Sequence, residues 1–242
     1  MKEAREVPSH SGARGRPRLP VVTLDGPAGS GKSSTAREVA RRLGFLHLDS
    51  GALYRALTFA LLSSEIPEEE WSELTAQELD RFPIRLQQTP QGLVVLLGDD
   101  PLVEELRTPE VTERVSPLSA LPEVRTWLLE VQRRAGREGG LVADGRDMGT
   151  VVFPDAQVKI FLTARLEERA RRRFLEREGR EPEDRELEEE AERIQARDTR
   201  DAGRTVAPLK KPLEALELDT TGLTFNEQVE VIIHHIKVLT EQ

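Results

Sequence analysis

A glycine-rich stretch near the start of the chain contains the residue types that hold a polyphosphate. Residues 26–33 read GPAGSGKS and match the pattern G-x-x-x-x-G-K-[ST] at every position. A short apolar run at 21–24 precedes the stretch, and a helix-like segment at 33–43 follows it. In this context successive backbone N–H groups turn inward, and the first turn of the helix adds unpaired donors of its own. The sequence therefore predicts a binding loop for a nucleoside triphosphate rather than an ordinary glycine-rich turn.

Two side chains of this loop are predicted to act on the phosphates directly. Lys32 is expected to reach the β- and γ-phosphates, and the Ser33 hydroxyl is expected to be a ligand of Mg²⁺. The whole predicted set for ATP at this loop is Gly26, Pro27, Ala28, Gly29, Ser30, Gly31, Lys32, Ser33 and Ser34.

A second group of polar residues follows the apolar run LVA at 141–143. Asp144 has the position of the acid that orders the water ligands of magnesium in such enzymes. Arg146 and Asp147 come next, and a guanidinium group suits a phosphate in a bidentate contact. The carboxylate of Asp147 could accept a hydrogen bond from an exocyclic amine or a ribose hydroxyl. The alternative is that these two residues form a simple loop ion pair.

Two further groups have helical spacing. Asp49 lies at the end of a predicted strand, and Ser50 is expected to be the N-cap of the helix that follows. Tyr54 lies four residues after Ser50 and so on the same helix face, and Arg55 follows it in the sequence. The alternative is a plain cap beside a packed tyrosine.

Arg197, Asp201 and Arg204 recur at i, i+4 and i+7 and so share one helix face. Many arginines with a few aspartates suit a site for two phosphorylated ligands. The arginines of the segment 165–173 outnumber nearby acids and are predicted to close over the transferred group, although the pattern also fits a solvated pair of helices with many ion pairs. These arginines are Arg165, Arg169, Arg171, Arg172 and Arg173.

The elements that must position these residues read as alternating strands and helices. Buried strands are predicted at 21–24, 45–48, 141–143, 158–163 and 215–218. Helices between strands predict an α/β fold with a doubly wound, five-stranded parallel sheet. Ligands of such a sheet bind at the carboxyl ends of its strands, where the polar residues above are found.

The remaining segments are predicted to be additions to this sheet. Residues 84–89 and 93–103 predict antiparallel strands joined by a turn at 90–92. Residues 111–135 predict helical segments broken around Pro117 and Pro122, and 165–204 predict two helices with a break at 179–182.

The composition excludes several kinds of function. The chain has 242 residues, a net charge of −9 and no cysteine, which disfavours broad nucleic-acid binding and excludes disulfides and thiolate zinc sites. No apolar run is long enough for a membrane span, and residues 1–20 lack the apolar centre of a signal peptide, so a cytoplasmic location is expected. Residues 1–18 read as a disordered basic tail, with an arm that touches RNA or a partner as the weaker alternative.

Several of these motifs together resemble the bacterial cytidylate kinases, which phosphorylate CMP and dCMP from ATP. The resemblance covers about residues 20–235 and rests on DGPAGSGKS, LDSGALYR, ADGRDMGTVVFPDAQVKIFLTA, QARDTRD and VAPL. It implies one kinase domain over 19–242, with its core in 19–62, 136–165 and 205–242. It also implies an NMP-binding insertion at about 63–135 and a short helical lid at about 166–190. The loop reads G-K-S-S where some members have G-K-G-T, which gives this chain the more usual hydroxyl on the metal side.

The resemblance also implies a role for individual residues. Lys32, Arg146 and Arg197 would be catalytic, Arg165 and Arg169 would bind ATP, and Mg²⁺ would be held by Ser33 and, through water, by Asp144. The residues implied around the CMP sugar and phosphate are Ser50, Tyr54, Arg55, Arg146, Arg197, Asp201 and Arg204, and those implied at the cytosine edge are Ser116, Arg125 and Asp147. The implied reaction has no covalent enzyme intermediate, and the protein is expected to be a monomer.

Other uses of a phosphate loop remain open at this point. A GTPase would carry an N-K-x-D base-reading motif, which this sequence lacks, and no coupling motif of a motor ATPase is found. A different small-molecule kinase, acting on UMP or a non-nucleotide acceptor, is one alternative. A nucleotide-dependent regulatory protein with weak hydrolysis is another.

Overall fold

The fold is described from a computed structural model that covers residues 19–89 and 92–240. The predicted tail at 1–18 lies outside the described residues, as does most of the predicted turn at 90–92. Within the described ranges, no helix is both long enough and apolar enough to cross a lipid bilayer.

Eight strands and eight α-helices make up the described chain. In chain order the strands are β1 Val21–Asp25, β2 Leu46–Asp49, β3 Ile84–Thr89, β4 Gly92–Leu97, β5 Asp100–Pro101, β6 Leu141–Gly145, β7 Val158–Thr163 and β8 Leu216–Asp219. The helices are α1 Lys32–Leu43, α2 Ser50–Leu62, α3 Ala76–Leu79, α4 Pro109–Leu118, α5 Pro122–Ala135, α6 Leu166–Glu178, α7 Asp184–Ala202 and α8 Phe225–Thr240.

The central sheet has five parallel strands in the order β2-β6-β1-β7-β8. The predicted doubly wound sheet is therefore confirmed, and each predicted strand lies within two residues of an observed one. Alternate residues of its strands enter two different cores: Leu141 and Ala143 pack with Leu57 of α2, whereas Val142 packs with Val39 of α1 and the C-terminal helix. Burial on both faces explains why β1 and β6, the strands whose residues are all buried, are nearly continuous apolar runs.

The segment between β2 and β6 contains the predicted antiparallel addition. Strands β3, β4 and β5 form a three-stranded sheet, with Ile84 opposite Leu97 and Thr89 opposite Gly92. Ile84 and Val95 belong to the same buried cluster as residues of α2, so this small sheet packs on the helix layer that covers one face of the central sheet.

The helices differ from the predictions at two places. The predicted break around Pro117 and Pro122 is found at 119–121, between the two prolines, but Pro117 itself lies inside α4, one residue before the end of that helix. A proline near the end of a helix removes only one backbone hydrogen bond, and the helix tolerates it. Helix α8 had not been predicted as an element, although its buried face, which includes Val229, Ile232 and Ile236, has helical spacing.

Helices α6 and α7 form a hairpin whose chain reversal at 179–183 is close to the predicted break. Gly179 ends α6 in the left-handed conformation, with φ of 70°. Helix α7 continues beyond residue 190, the predicted end of the lid, as far as Ala202. The division of the chain into core, insertion and lid stays a prediction.

Candidate active site

The carboxyl ends of three neighbouring strands meet at one edge of the central sheet. Asp25 of β1 is level with Gly145 of β6, and Asp49 of β2 is level with Asp144. The phosphate-binding loop runs from β1 to α1 at the same edge. Parallel pairing therefore brings together residues that are far apart in the sequence.

The loop has the backbone that its glycines were expected to allow. Gly29 and Gly31 have φ of 72° and 84°, which other residues adopt at a cost. Lys32 is buried at the start of α1, and its Nζ donates to the Pro27 carbonyl at 3.1 Å. Burial lowers the pKa of Lys32, and the positive charge of Arg146, with a smaller contribution from Arg197, lowers it further. The lysine and these two arginines thus share one electrostatic environment, which suits a polyphosphate.

Ser33 and Asp144 lie together, as the predicted metal site requires. The Ser33 hydroxyl donates to Asp144 Oδ2 at 2.5 Å, and His47 Nε2 is 2.8 Å from Asp144 Oδ1. Burial works against ionisation of Asp144, but the contacts with His47 and Ser33 and the charge of Lys32 lower its pKa overall.

These two side chains fit a magnesium ion that is held mainly by substrate phosphates. Hydroxyl and carboxylate oxygens are the ligands Mg²⁺ prefers, and the ion usually needs only one or two from the protein. Among residues 19–89 and 92–240, no group of three or more His, Cys, Asp or Glu side chains could enclose a metal.

The start of α2 corrects one prediction. The N-cap is Asp49, whose Oδ1 accepts from the Ala52 N–H at 3.2 Å, and Ser50 is the first helical residue. Burial raises the pKa of Asp49, as does the charge of Asp144 beside it, while Arg55 opposes the shift. The Ser50 hydroxyl instead donates to Gln132 Oε1 of α5 at 2.9 Å.

Asp201 is the centre of a buried arginine cluster at the end of α7. Its Oδ2 accepts from Arg146 Nε at 2.9 Å, and its Oδ1 accepts from Arg204 Nη2 at 2.6 Å. Ser116 Oγ donates to Oδ1 at 3.3 Å, and Arg197 Nε is 4.0 Å from Oδ2. The predicted residues of loop 145–147, α4 and α7 are therefore brought together around one carboxylate.

A buried ion pair between Arg125 and Asp147 adjoins this cluster. The Arg125 guanidinium is 5.4 Å from the centre of the Tyr54 ring and also donates to the Ser119 carbonyl at 2.9 Å. Burial raises the pKa of Asp147, and Arg125 acts against the rise. Arg146 and Asp147 do not form an ion pair with each other. Arg146 binds Asp201 of α7, and Asp147 binds Arg125 of α5.

The cluster carries more positive charge than its aspartates neutralise. The Nε atoms of Arg197 and Arg204 are buried without a hydrogen-bond partner in the described part of the chain. Burial lowers the pKa of Arg197 to about 9, with Arg146 and Arg55 as further causes. A cavity of about 500 Å³ opens beside Ser116 and Arg204. Unsatisfied buried donors and excess positive charge both favour an anionic ligand.

The arginines of α6 take several different positions. Arg165 precedes the helix with an exposed side chain, whereas Arg169 is buried and donates to the carbonyls of Ala28 and Ala164, each at 3.0 Å. The other three arginines form ion pairs within the hairpin, which is the alternative prediction of a helix pair with many ion pairs. The pairs are Arg171 with Glu168 and Glu181, Arg172 with Glu168, and Arg173 with Glu176.

Sequence reasoning gave no role to several residues that contact the site. His47 binds Asp144, Gln132 binds Ser50, and Asp198 binds the backbone of Ala28. Asp198 lies in the QARDTRD motif, so the sequence singled it out without showing its partner. The contacts of His47 and Gln132 depend on strand register and helix packing, which cannot be read from the identity of a single residue.

Comparison with known proteins gives a consistent result across nearly the whole chain. The family profile described as "Cytidylate kinase" matches residues 22–238. A protein named cytidylate kinase from Pseudomonas fluorescens strain Pf-5 is 46% identical over 224 residues, which cover 91% of this chain and 96% of that protein. Another of that name, from Carboxydothermus hydrogenoformans, is 43% identical over 217 residues, covering 89% of this chain and 96% of that protein.

A third relative is a longer protein. The protein named bifunctional pantoate ligase/cytidylate kinase from Prochlorococcus marinus strain MIT 9312 is 41% identical over 216 residues. The match covers 89% of this chain and 42% of that protein, so the chain spans less than half of the bifunctional relative's length.

Proposed function

Since the chain belongs to the cytidylate kinase family, we propose that it transfers the γ-phosphoryl group of ATP to CMP or dCMP at the site described above. The observation that best supports this is the geometric link between the two halves of the site. Asp144 accepts from Ser33 of the phosphate-binding loop at 2.5 Å, and Arg146, two residues further on, donates to Asp201 of the arginine cluster at 2.9 Å. A donor and an acceptor phosphate bound to these groups would lie next to each other.

On the donor side, the backbone of loop 26–31 would hold the β- and γ-phosphates, and Lys32 would bind the transferring group. Ser33 and Asp144 would hold Mg²⁺, which neutralises charge on the phosphates and keeps the leaving group in place. Arg165, the exposed arginine ahead of α6, is the proposed lid contact to ATP.

On the acceptor side, the proposed ligands of the CMP phosphate and sugar are the residues around Asp201 and at the start of α2. The unpaired Nε donors of Arg197 and Arg204 support this role. The Arg125–Asp147 pair, with Ser116, would read the cytosine edge, since a carboxylate accepts from an exocyclic amine and a guanidinium donates to a ring acceptor.

The reaction then needs no covalent intermediate and no general base. An oxygen of the CMP phosphate, ionised at neutral pH, attacks the γ-phosphorus, and the bond from that phosphorus to the bridging oxygen breaks to release ADP. Lys32, Arg146 and Arg197 would stabilise the charge spread over the transferring group, which is the main catalytic task in phosphoryl transfer.

The test is ADP release from Mg·ATP with CMP, dCMP, UMP, AMP and GMP as separate acceptors. Stimulation by CMP and dCMP alone is the expected result. Equal stimulation by UMP would change the proposal to a broader pyrimidine kinase, and stimulation by none would leave the regulatory alternative with weak hydrolysis. A cytoplasmic location, a monomeric state and the absence of nucleic-acid partners stay predictions of the sequence.

A further inference from the structure

Asp198 and Arg169 bind both backbone polar groups of Ala28 in the phosphate-binding loop. The Ala28 N–H donates to Asp198 Oδ1 at 2.9 Å, and the Ala28 carbonyl accepts from Arg169 Nη1 at 3.0 Å. The same Arg169 nitrogen also pairs with Asp198 Oδ2. Residue 28 is thus held from both sides by the α6–α7 hairpin, and we call these three residues the loop clamp.

Packing supports the loop clamp. The Ala28 methyl group belongs to a small buried cluster with Ala170 of α6 and Ile194 of α7. A Cβ atom added to Gly29 would lie 2.7 Å from the Arg169 carbonyl oxygen, so the loop backbone is in close contact with α6. The hairpin and the loop therefore meet through an apolar contact, a backbone contact and an ion pair.

The ion pair of the loop clamp is largely removed from water. The side chains of Arg169 and Asp198 are 9% and 13% exposed. Arg169 Nε donates to the Ala164 carbonyl at 3.0 Å, which fixes the plane of the guanidinium group. Removing one partner of such a pair is costly, because it leaves the other charge buried without compensation.

Helix α7 carries the acceptor-side residues on a neighbouring face. Asp198 follows Arg197 directly, and one residue corresponds to a turn of about 100° around a helix. Arg197 lies near Asp201 and in the electrostatic environment of Lys32, whereas Asp198 binds the loop backbone. One helix therefore contacts the ATP loop with one side chain and the proposed CMP site with the next.

We propose that Asp198 is a positioning residue that couples the two substrate sites, so that ATP in the loop fixes α7 in the orientation that binds CMP, and CMP does the same for ATP. This inference rests on the proposed function, which supplies the two ligands. A coupling free energy is reciprocal, so each ligand must change the affinity of the other by the same factor. A purely structural Asp198 would instead change stability and leave that factor unaltered.

The experiment measures the Kd of CMP by calorimetry with and without a saturating, non-hydrolysable Mg·ATP analogue. In the wild-type protein the analogue is expected to tighten CMP binding by about fivefold or more. Asp198→Asn keeps an oxygen for the Ala28 N–H but loses the charge that pairs with Arg169. It should reduce that factor by about threefold or more while CMP binding alone changes by less than about twofold.

Glu188→Gln is the matched control, because Glu188 is an exposed acid on the same helix. It should keep the wild-type factor. Arg169→Lys retains the positive charge but loses the guanidinium group that contacts both Ala28 and Asp198, so it should also reduce the coupling factor. This variant replaces Asp198→Asn in the experiment if Asp198→Asn does not fold.

An unchanged factor in both variants, or no coupling in the wild-type protein, would overturn the inference. Failure of the wild-type protein to bind CMP or the ATP analogue at all would refute the proposed function and the inference with it, whereas an active, CMP-binding enzyme with unaltered coupling in the variants would refute only the inference.

Discussion

Lys32 is the side chain on which the proposed transfer depends most directly. Replacing it with alanine removes a preorganised positive charge at the transferring phosphoryl group, so kcat should fall by at least about a hundredfold. Steady-state ADP release with CMP measures the effect. Lys210→Ala, at an exposed lysine, is the control and should keep wild-type turnover. Near-normal turnover in Lys32→Ala would contradict the role given to this residue.

Asp147 is predicted to determine the choice of base. Alanine would hurt CMP selectivity more than ATP binding, but it would also leave Arg125 buried without its partner. Asp147→Asn is the sharper variant, since it keeps the shape and changes the hydrogen-bonding groups. The ratio of kcat/KM for CMP to that for UMP should fall by about tenfold or more, with the KM for ATP within about twofold. An equal loss for all monophosphates would show that Asp147 does not read the base.

Asp25 should make stability depend on pH. Its carboxyl is buried, and burial raises its pKa from 3.8 to about 7 although the N–H groups of Met148 and Gly149 donate to it at 2.8 Å. Between about pH 4 and about pH 7 the folded protein therefore holds a proton that the unfolded chain has lost, and this contribution to the free energy of unfolding falls as pH rises.

Asp25→Asn removes that titration. Relative to the variant, the wild-type free energy of unfolding should decline by about 1 to 4 kcal/mol from about pH 4 to about pH 7. Urea denaturation at several pH values measures it, and parallel pH profiles for the two proteins would contradict the assignment.

At the scale of the elements, Gly29 connects the loop to the helix hairpin. Its φ of 72° is a conformation that other residues adopt only with strain. A Cβ atom at this position would lie 2.7 Å from the backbone carbonyl oxygen of Arg169 in α6, which cannot move aside as a flexible side chain would. Gly29→Ala should lower the free energy of unfolding by about 1 to 3 kcal/mol and raise the KM for ATP more than the KM for CMP. Thermal unfolding and kinetics check both effects. Gly222→Ala, where an added Cβ meets nothing within 4 Å, is the control.

The elements also show what could be predicted from sequence and why. The central strands β1 and β6 were predicted because burial on both faces makes each a nearly unbroken apolar run, whereas the edge strands β2 and β8, LHLD and LELD, were predicted from short apolar segments that are only partly buried. The residues that end up at the site were predicted where a motif is local, as in the loop 26–33, or where helical spacing repeats, as in Arg197 and Asp201. Arg204 was predicted on the same helix face, but it lies beyond the end of α7 and reaches Asp201 from the following loop. The cap of α2 was assigned to Ser50 rather than Asp49, because both are good N-cap residues and only the backbone at the junction decides between them.

At the scale of the whole molecule, the net charge and the charge at the site have opposite signs. The chain carries −9 overall, yet the cluster around Asp201 has an excess of arginine. Because charges act over only about a Debye length in salt solution, the affinity for an anion should depend on the positive charge of this cluster and not on the net charge of the chain.

CMP binding should therefore weaken with salt, with Kd rising about threefold or more between about 50 mM and about 500 mM NaCl. Calorimetry measures it, with uncharged cytidine as the control ligand, whose affinity should change little. A salt-independent Kd for CMP would argue against arginine contacts to its phosphate.

The order of strands in the central sheet has an evolutionary consequence. The chain leaves the sheet after β2 and returns at β6, and these two strands are neighbours. Everything between them, including the small antiparallel sheet and helices α4 and α5, is therefore a single excursion that leaves at the carboxyl end of β2 and returns at the amino end of its parallel neighbour β6. Such a segment can diverge as one contiguous piece, provided that side chains such as Leu57 keep their packing against Leu141 and Ala143 of the sheet. A paralogue that changed only this stretch of the gene would alter the acceptor residues that it supplies, such as Ser116 and Arg125, while keeping the phosphate loop and the arginines around Asp201.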